Sequence, residues 1–108
     1  MTNDNVPELS GKEFDDFTSK GLVLIDFFAD WCMPCMMMAP IVEELSEKFK
    51  GKIKFGKVDV GENGKIAQKF GVSSIPNFTL LKDGKMIDQF VGAISEDDLE
   101  EKLKRVLG

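Results

Sequence analysis

The chain's two cysteines, Cys32 and Cys35, are separated only by Met33 and Pro34. Thiols at this spacing chelate a soft metal, form a static disulfide, or cycle between dithiol and disulfide. A buried strand ends just before them and a helix is expected to begin at them, which favours the third use. The unpaired N–H groups and the positive end of a helix dipole stabilise a thiolate at the first cysteine. One turn on, Cys35 points to the same side and can close a short disulfide. Pro34 suits the first turn, where a missing N–H is no loss. A tetrahedral zinc site wants four ligands, and the chain holds no histidine and no second cysteine pair. Redox chemistry is therefore the leading reading, with a half zinc site and an inert disulfide as alternatives.

Leu22-Val-Leu-Ile-Asp-Phe-Phe leads into the pair and is apolar on both alternating faces, as expected for a central strand covered on both sides. After the pair, Met38, Val42, Leu45 and Phe49 share one helical face, predicting a helix from 34 to 49 that ends near Gly51 and is kinked by Pro40. A strand over 53–60 then completes a βαβ unit with parallel strands. Ser10 and Glu13 form a capping-box pattern for a helix over 11–19, and Ser95 with Asp98 repeats it for a terminal helix carrying Leu99, Leu103, Val106 and Leu107. A short helix over 65–70 stops at Gly71. Strands over 78–81 and 86–91 flank Lys82-Asp83-Gly84-Lys85, whose Asp-Gly pair is a hairpin signal. With no linker or repeat, residues 1–108 read as one α/β domain with a mixed sheet and helices on both faces.

Composition narrows the function classes. A net charge of −5, from 14 Lys+Arg against 19 Asp+Glu without a basic cluster, argues against nucleic-acid binding. The longest apolar run, Met36 to Val42, is broken by Pro40 and falls far short of the roughly 20 residues a bilayer span needs. The amino terminus, Met1-Thr-Asn-Asp-Asn-Val-Pro, lacks the basic and apolar stretches of a secretory signal, so a cytoplasmic protein is expected unless a presequence was removed.

Other residues carry two readings each. Asp26 interrupts an apolar strand, so burial should raise its pKa and make it an acid/base candidate for the Cys35 proton; the alternative is an ion pair with Lys57. Pro76 reads as an ordinary loop proline. Trp31 serves either an apolar rim or the core. Gly92 lets another backbone approach closely or marks a bulge. Met33 and Met36 to Met38 offer a soft docking surface, while core filling is an equal account of Met37 and Met38.

Phe27-Phe-Ala-Asp-Trp-Cys-Met-Pro-Cys resembles the WCxPC segment of the thioredoxin family. Lys57-Val-Asp-Val, Ser74-Ile-Pro, Phe78, the Lys82-Asp-Gly-Lys hairpin and Val91-Gly-Ala resemble further family landmarks in the family's order, over nearly the whole chain. The resemblance implies a central sheet flanked by helices and reversible thiol–disulfide exchange. Cys32 is then the nucleophile, Cys35 the resolving thiol and Asp26 the acid/base acting through water, with Lys57 and Pro34 in support. It also implies a cis bond before Pro76 that frees the preceding backbone to pair with an extended substrate. Trp31, Met33, Ile75, Gly92 and Ala93 become a docking rim. The expected partners are disulfide-containing proteins and a thioredoxin-reductase-type electron donor. A monomer is expected, with no organic cofactor and no metal. An oxidase, an isomerase or a non-catalytic binding module is the alternative. The chain departs from the pattern at Met33 and Met36, where glycine and a basic residue are common, and at Phe28 and Asn77, where Trp and Thr are frequent.

Overall fold

The computed structural model describes residues 5–108. Residues 1–4 of the polar amino-terminal stretch lie outside the described part. The elements run α1 (Gly11–Thr18), β1 (Leu22–Phe28), α2 (Met33–Lys48), β2 (Lys54–Asp59), α3 (Gly64–Lys69), β3 (Asn77–Lys82), β4 (Lys85–Val91) and α4 (Glu96–Leu107). The sheet order is β2-β1-β3-β4, with β1 parallel to β2 and antiparallel to β3, and β3 antiparallel to β4. The expected mixed sheet is present.

β1 is central because its side chains are apolar in both directions. Leu24 joins Met38, Val42, Leu45 and Phe49 of α2 and Leu99 and Leu103 of α4 on one face. Val23, Ile25 and Phe27 join Phe14 and Phe70 on the other. With side chains alternating every residue, Asp26 shares the Leu24 face and so lies toward α2. The hairpin fits its sequence: Asp83 and Gly84 take φ of 50° and 85°, the two positive values a two-residue type I′ turn requires. The Asp83 carboxylate accepts from the Gly21 N–H at 2.7 Å, tying this turn to the start of β1.

Of the two expected helix caps, one forms and one does not. At α4 the Ser95 hydroxyl accepts from the Asp98 N–H at 3.1 Å, as the capping pattern predicts. At α1 no side-chain cap forms; the Ser10 carbonyl accepts from the Glu13 N–H instead. Gly11 enters α1 at φ +54°, so the chain does not pass from Ser10 directly into a helical first turn. The amino-terminal segment also extends the sheet edge. Leu9 N–H donates to the Lys57 carbonyl at 2.8 Å and Lys57 N–H to the Pro7 carbonyl at 2.9 Å, around a parallel bridge of Glu8 with Lys57. Sequence reading missed this, since one bridge leaves too short a run to show alternation.

Candidate active site

The cysteines stand where β1 hands the chain to α2. Cys32 is the N-cap of α2, in extended conformation, and its Sγ accepts from the Cys35 N–H at 3.2 Å. A sulfur thus fills the role that a Ser or Asp oxygen usually plays at a helix start, satisfying one of the orphan N–H donors. The two cysteines form a disulfide with Cα atoms 5.3 Å apart. Pro34 occupies the first turn, and α2 runs on through Pro40 to Lys48.

In this closed form Cys32 and Cys35 are 5% and 4% exposed. Accessibility therefore does not separate them in the disulfide form. Position does separate them, because only Cys32 holds the N-cap. With Ala29 they form a small apolar cluster against which Phe28, Val60 and Ile75 pack. Ile75 is joined to Pro76 by a cis peptide bond. Pro76 is buried, and its carbonyl accepts from the Gly92 N–H at 2.8 Å, which brings Gly92 beside this loop. Gly92 has φ +96°, a conformation that favours glycine whether or not a ligand approaches.

Around the cysteines the surface is apolar. Trp31 is 79% exposed, and Met33 and Met36 are also well exposed. The two readings of Met37 and Met38 divide between the residues: Met37 is 71% exposed and Met38 is 2% exposed in the core. Ala93 is exposed, and Val91, left out of the rim expected from the sequence, adds another exposed apolar group beside Gly92.

Behind Cys35 lies a cavity of about 220 Å³ bordered by Asp26, Phe28, Ala29, Asp30, Cys35, Met36, Ala39 and Lys57. Asp26 and Lys57 face each other in the β1–β2 register, yet among the described residues no ion pair joins them. In place of the direct pair that is the alternative reading of Asp26 there is a longer-range attraction, with the Lys57 ammonium 5.6 Å from the Phe28 ring centroid. Asp26 Oδ1 is buried with no hydrogen-bond partner. Burial pushes the Asp26 pKa up from 3.8 to about 7, against the lowering pull of Lys57. A carboxyl that exchanges its proton near neutrality therefore borders the same cavity as one of the reactive sulfurs. Phe28 was legible here, since strand alternation places it on the Asp26 face; Ala39 was not.

A strand-to-helix junction bearing a dithiol/disulfide pair, with a tuned carboxyl behind it, defines a thiol–disulfide oxidoreductase. The comparisons agree with this class. The family described as thioredoxin matches residues 5–105. The chain is 41% identical to thioredoxin of Bacillus subtilis over 102 residues, 94% of this chain and 98% of that protein. It is 40% identical to thioredoxin of Listeria monocytogenes over 100 residues, 93% of this chain and 97% of that protein. In structure it is similar to a mutant thioredoxin from Halobacterium salinarum, with a TM-score of 0.85, 37% identity, and coverage of 97% of this chain and 94% of that one. The chain belongs to the thioredoxin family, has the thioredoxin fold and is a protein-disulfide reductase by class.

Proposed function

We propose that residues 1–108 act as one monomeric domain in a reducing compartment such as the cytoplasm, carrying electron pairs from a reductase to protein disulfides. The Cys32 thiolate attacks one sulfur of a substrate disulfide. A mixed disulfide forms and one substrate thiolate leaves. Cys35, deprotonated by the Asp26 carboxylate through water in the shared cavity, then attacks Cys32 Sγ. The Cys32–Cys35 disulfide closes and the second substrate thiol is released, so the substrate gains two electrons and the carrier loses two. A thioredoxin-reductase-type donor returns the pair. Sulfur is the whole redox centre, and no organic cofactor or metal takes part.

The observation that carries the assignment of roles is the Cys35 N–H donated to Cys32 Sγ. An N–H donor at a helix start favours the anionic form of that sulfur, which makes Cys32 the attacking group. The unpartnered Asp26 oxygen bordering the Cys35 cavity supports the proton step. Trp31, Met33, Ile75, Gly92 and Ala93, with Pro76 shaping the loop, form the surface on which an extended apolar substrate segment lies. The exposed thioethers of Met36 and Met37 enlarge it.

Limited alkylation of the reduced protein should label Cys32 first; preferential labelling of Cys35 reverses the roles. Equilibration with a glutathione series should give a couple more reducing than about −220 mV, and a value less negative than about −180 mV would point to an oxidase or isomerase.

A further inference from the structure

One polar side chain holds both ends of the loop that faces the cysteines. Gln89 lies on β4, directly across from Thr79 in the β3–β4 register. Its Nε2 donates to the Phe70 carbonyl at 2.9 Å and to Thr79 Oγ1 at 3.0 Å. Thr79 Oγ1 in turn donates to Asn77 Oδ1 at 2.9 Å. Phe70 is the C-cap of α3 and Asn77 is the first residue of β3. The six residues between them, 71–76, carry Ile75, joined to Pro76 by the cis bond, to the cysteine cluster.

We propose that Gln89 is a positioning residue for disulfide exchange. Through one carboxamide it sets the separation of the two ends of loop 71–76, and so the place of the Ile75 backbone on which a protein substrate pairs. Three features support this. Thr79 and Asn77 are buried, so the link between them is shielded from competing water, while Gln89 itself is half-buried. Nε2 of Gln89 serves both branches, so loss of the side chain frees the Phe70 carbonyl and the Thr79 hydroxyl together, while the Asn77 backbone stays paired with Phe27 and Val91. A helix C-cap carbonyl has no partner within its own helix, so the Phe70 branch meets a need that the backbone leaves open. Gln89 touches neither sulfur nor substrate. It acts on how a long substrate is held rather than on the attack itself.

The inference rests on the substrate-docking role given to the loop, and the test separates the two. Initial rates are measured with insulin as the protein disulfide and with a small aromatic disulfide that needs no docking backbone. For Gln89→Met, similar in size but without donors, KM for insulin should rise about fivefold while kcat stays within about twofold. The rate with the small disulfide should be unchanged. Thr79→Val should raise KM in the same way and Thr79→Ser, which keeps the hydroxyl, should restore it. This pair decides the matter if Gln89→Met fails to fold. Unchanged insulin KM in both Gln89→Met and Thr79→Val, or an equal loss on both substrates, overturns the positioning role. Wild-type protein that reduces the small disulfide but not insulin overturns the docking reading beneath it.

Discussion

The two ends of α2 treat charge and apolar surface in opposite ways. At its carboxyl end Lys48 reaches Glu100 at 2.9 Å, and Lys104 reaches the same carboxylate at 3.1 Å. The hydrogen bond from Lys48, then that from Lys104, holds the Glu100 pKa below its ordinary value. At its amino end Trp31, Met33, Met36 and Met37 are exposed, while the carboxylate of Asp26 is buried without a hydrogen bond to Oδ1. Surface ion pairs contribute little to stability and are easily replaced. A lone buried carboxyl costs stability when it ionises, and uncovered apolar groups forgo burial. The carboxyl end is arranged as a stable protein would have it. The amino end departs from that arrangement at the residues to which the proposed function gives exchange and docking.

The sharpest way to break the contrast is to remove the nucleophile. Cys32→Ser should reduce disulfide turnover to background, whereas Cys35→Ser should still attack and accumulate a mixed disulfide, visible as an adduct by mass spectrometry. Turnover by Cys32→Ser comparable to wild type would contradict the assigned chemistry.

Asp26→Asn tests the buried charge itself. The folded-state pKa of about 7 exceeds the unfolded 3.8, so the folded chain holds an extra proton between these values. Stability attributable to Asp26 falls as pH rises through that window, and the penalty is complete above about pH 7. The variant should therefore be more stable than wild type at pH 8, by on the order of 4 kcal/mol at most, and gain nothing near pH 3. Denaturant melts at the two pH values measure this. Turnover at neutral pH should fall roughly a hundredfold, the lower end of what a positioned acid–base supplies. Equal stability gains at both pH values would mean that ionisation of Asp26 is not the source.

Gly92→Ala should cost about 1–2 kcal/mol, because an added Cβ meets no atom but φ +96° strains any L side chain. Thermal unfolding decides it. Placing a cation near the dithiol with Met36→Lys should stabilise the thiolate form, making the couple less negative by no more than about 30 mV at so exposed a site. The smallest effect belongs to the other end of α2. Glu100→Gln should leave turnover unchanged and lower stability only slightly, and the difference should shrink in high salt.

Much of this site was legible as local pattern. Cys32, Cys35 and Pro34 lie within four residues at a strand-to-helix junction, and Asp26 stands out against the apolar residues of β1. The hairpin at Asp83 and Gly84 followed from two residues whose backbone freedom is well understood. The misses came from interactions between distant segments. Ser10 failed to cap α1 although Ser95 capped α4, and the two starts differ in backbone, with Gly11 at φ +54° in the first. The edge bridge at Glu8 depends on where β2 ends up, and nothing near Glu8 encodes that.

The sequence by itself determined the reactive atoms and the elements that bear them, because periodicity, capping and turn chemistry act over a few residues. It determined too that Asp26 would sit in a strand with apolar neighbours. Only the tertiary structure decided that Asp26 and Lys57 would miss an ion pair and face a cavity with Cys35, that Met37 would be exposed while Met38 was buried, and that Gln89 would reach both Phe70 and Thr79. Each of these depends on the packing of segments far apart in the chain. A pKa, an exposure or a bridging hydrogen bond is fixed by what surrounds a group in space, and the surroundings of these residues are assembled only when the sheet and its helices close together.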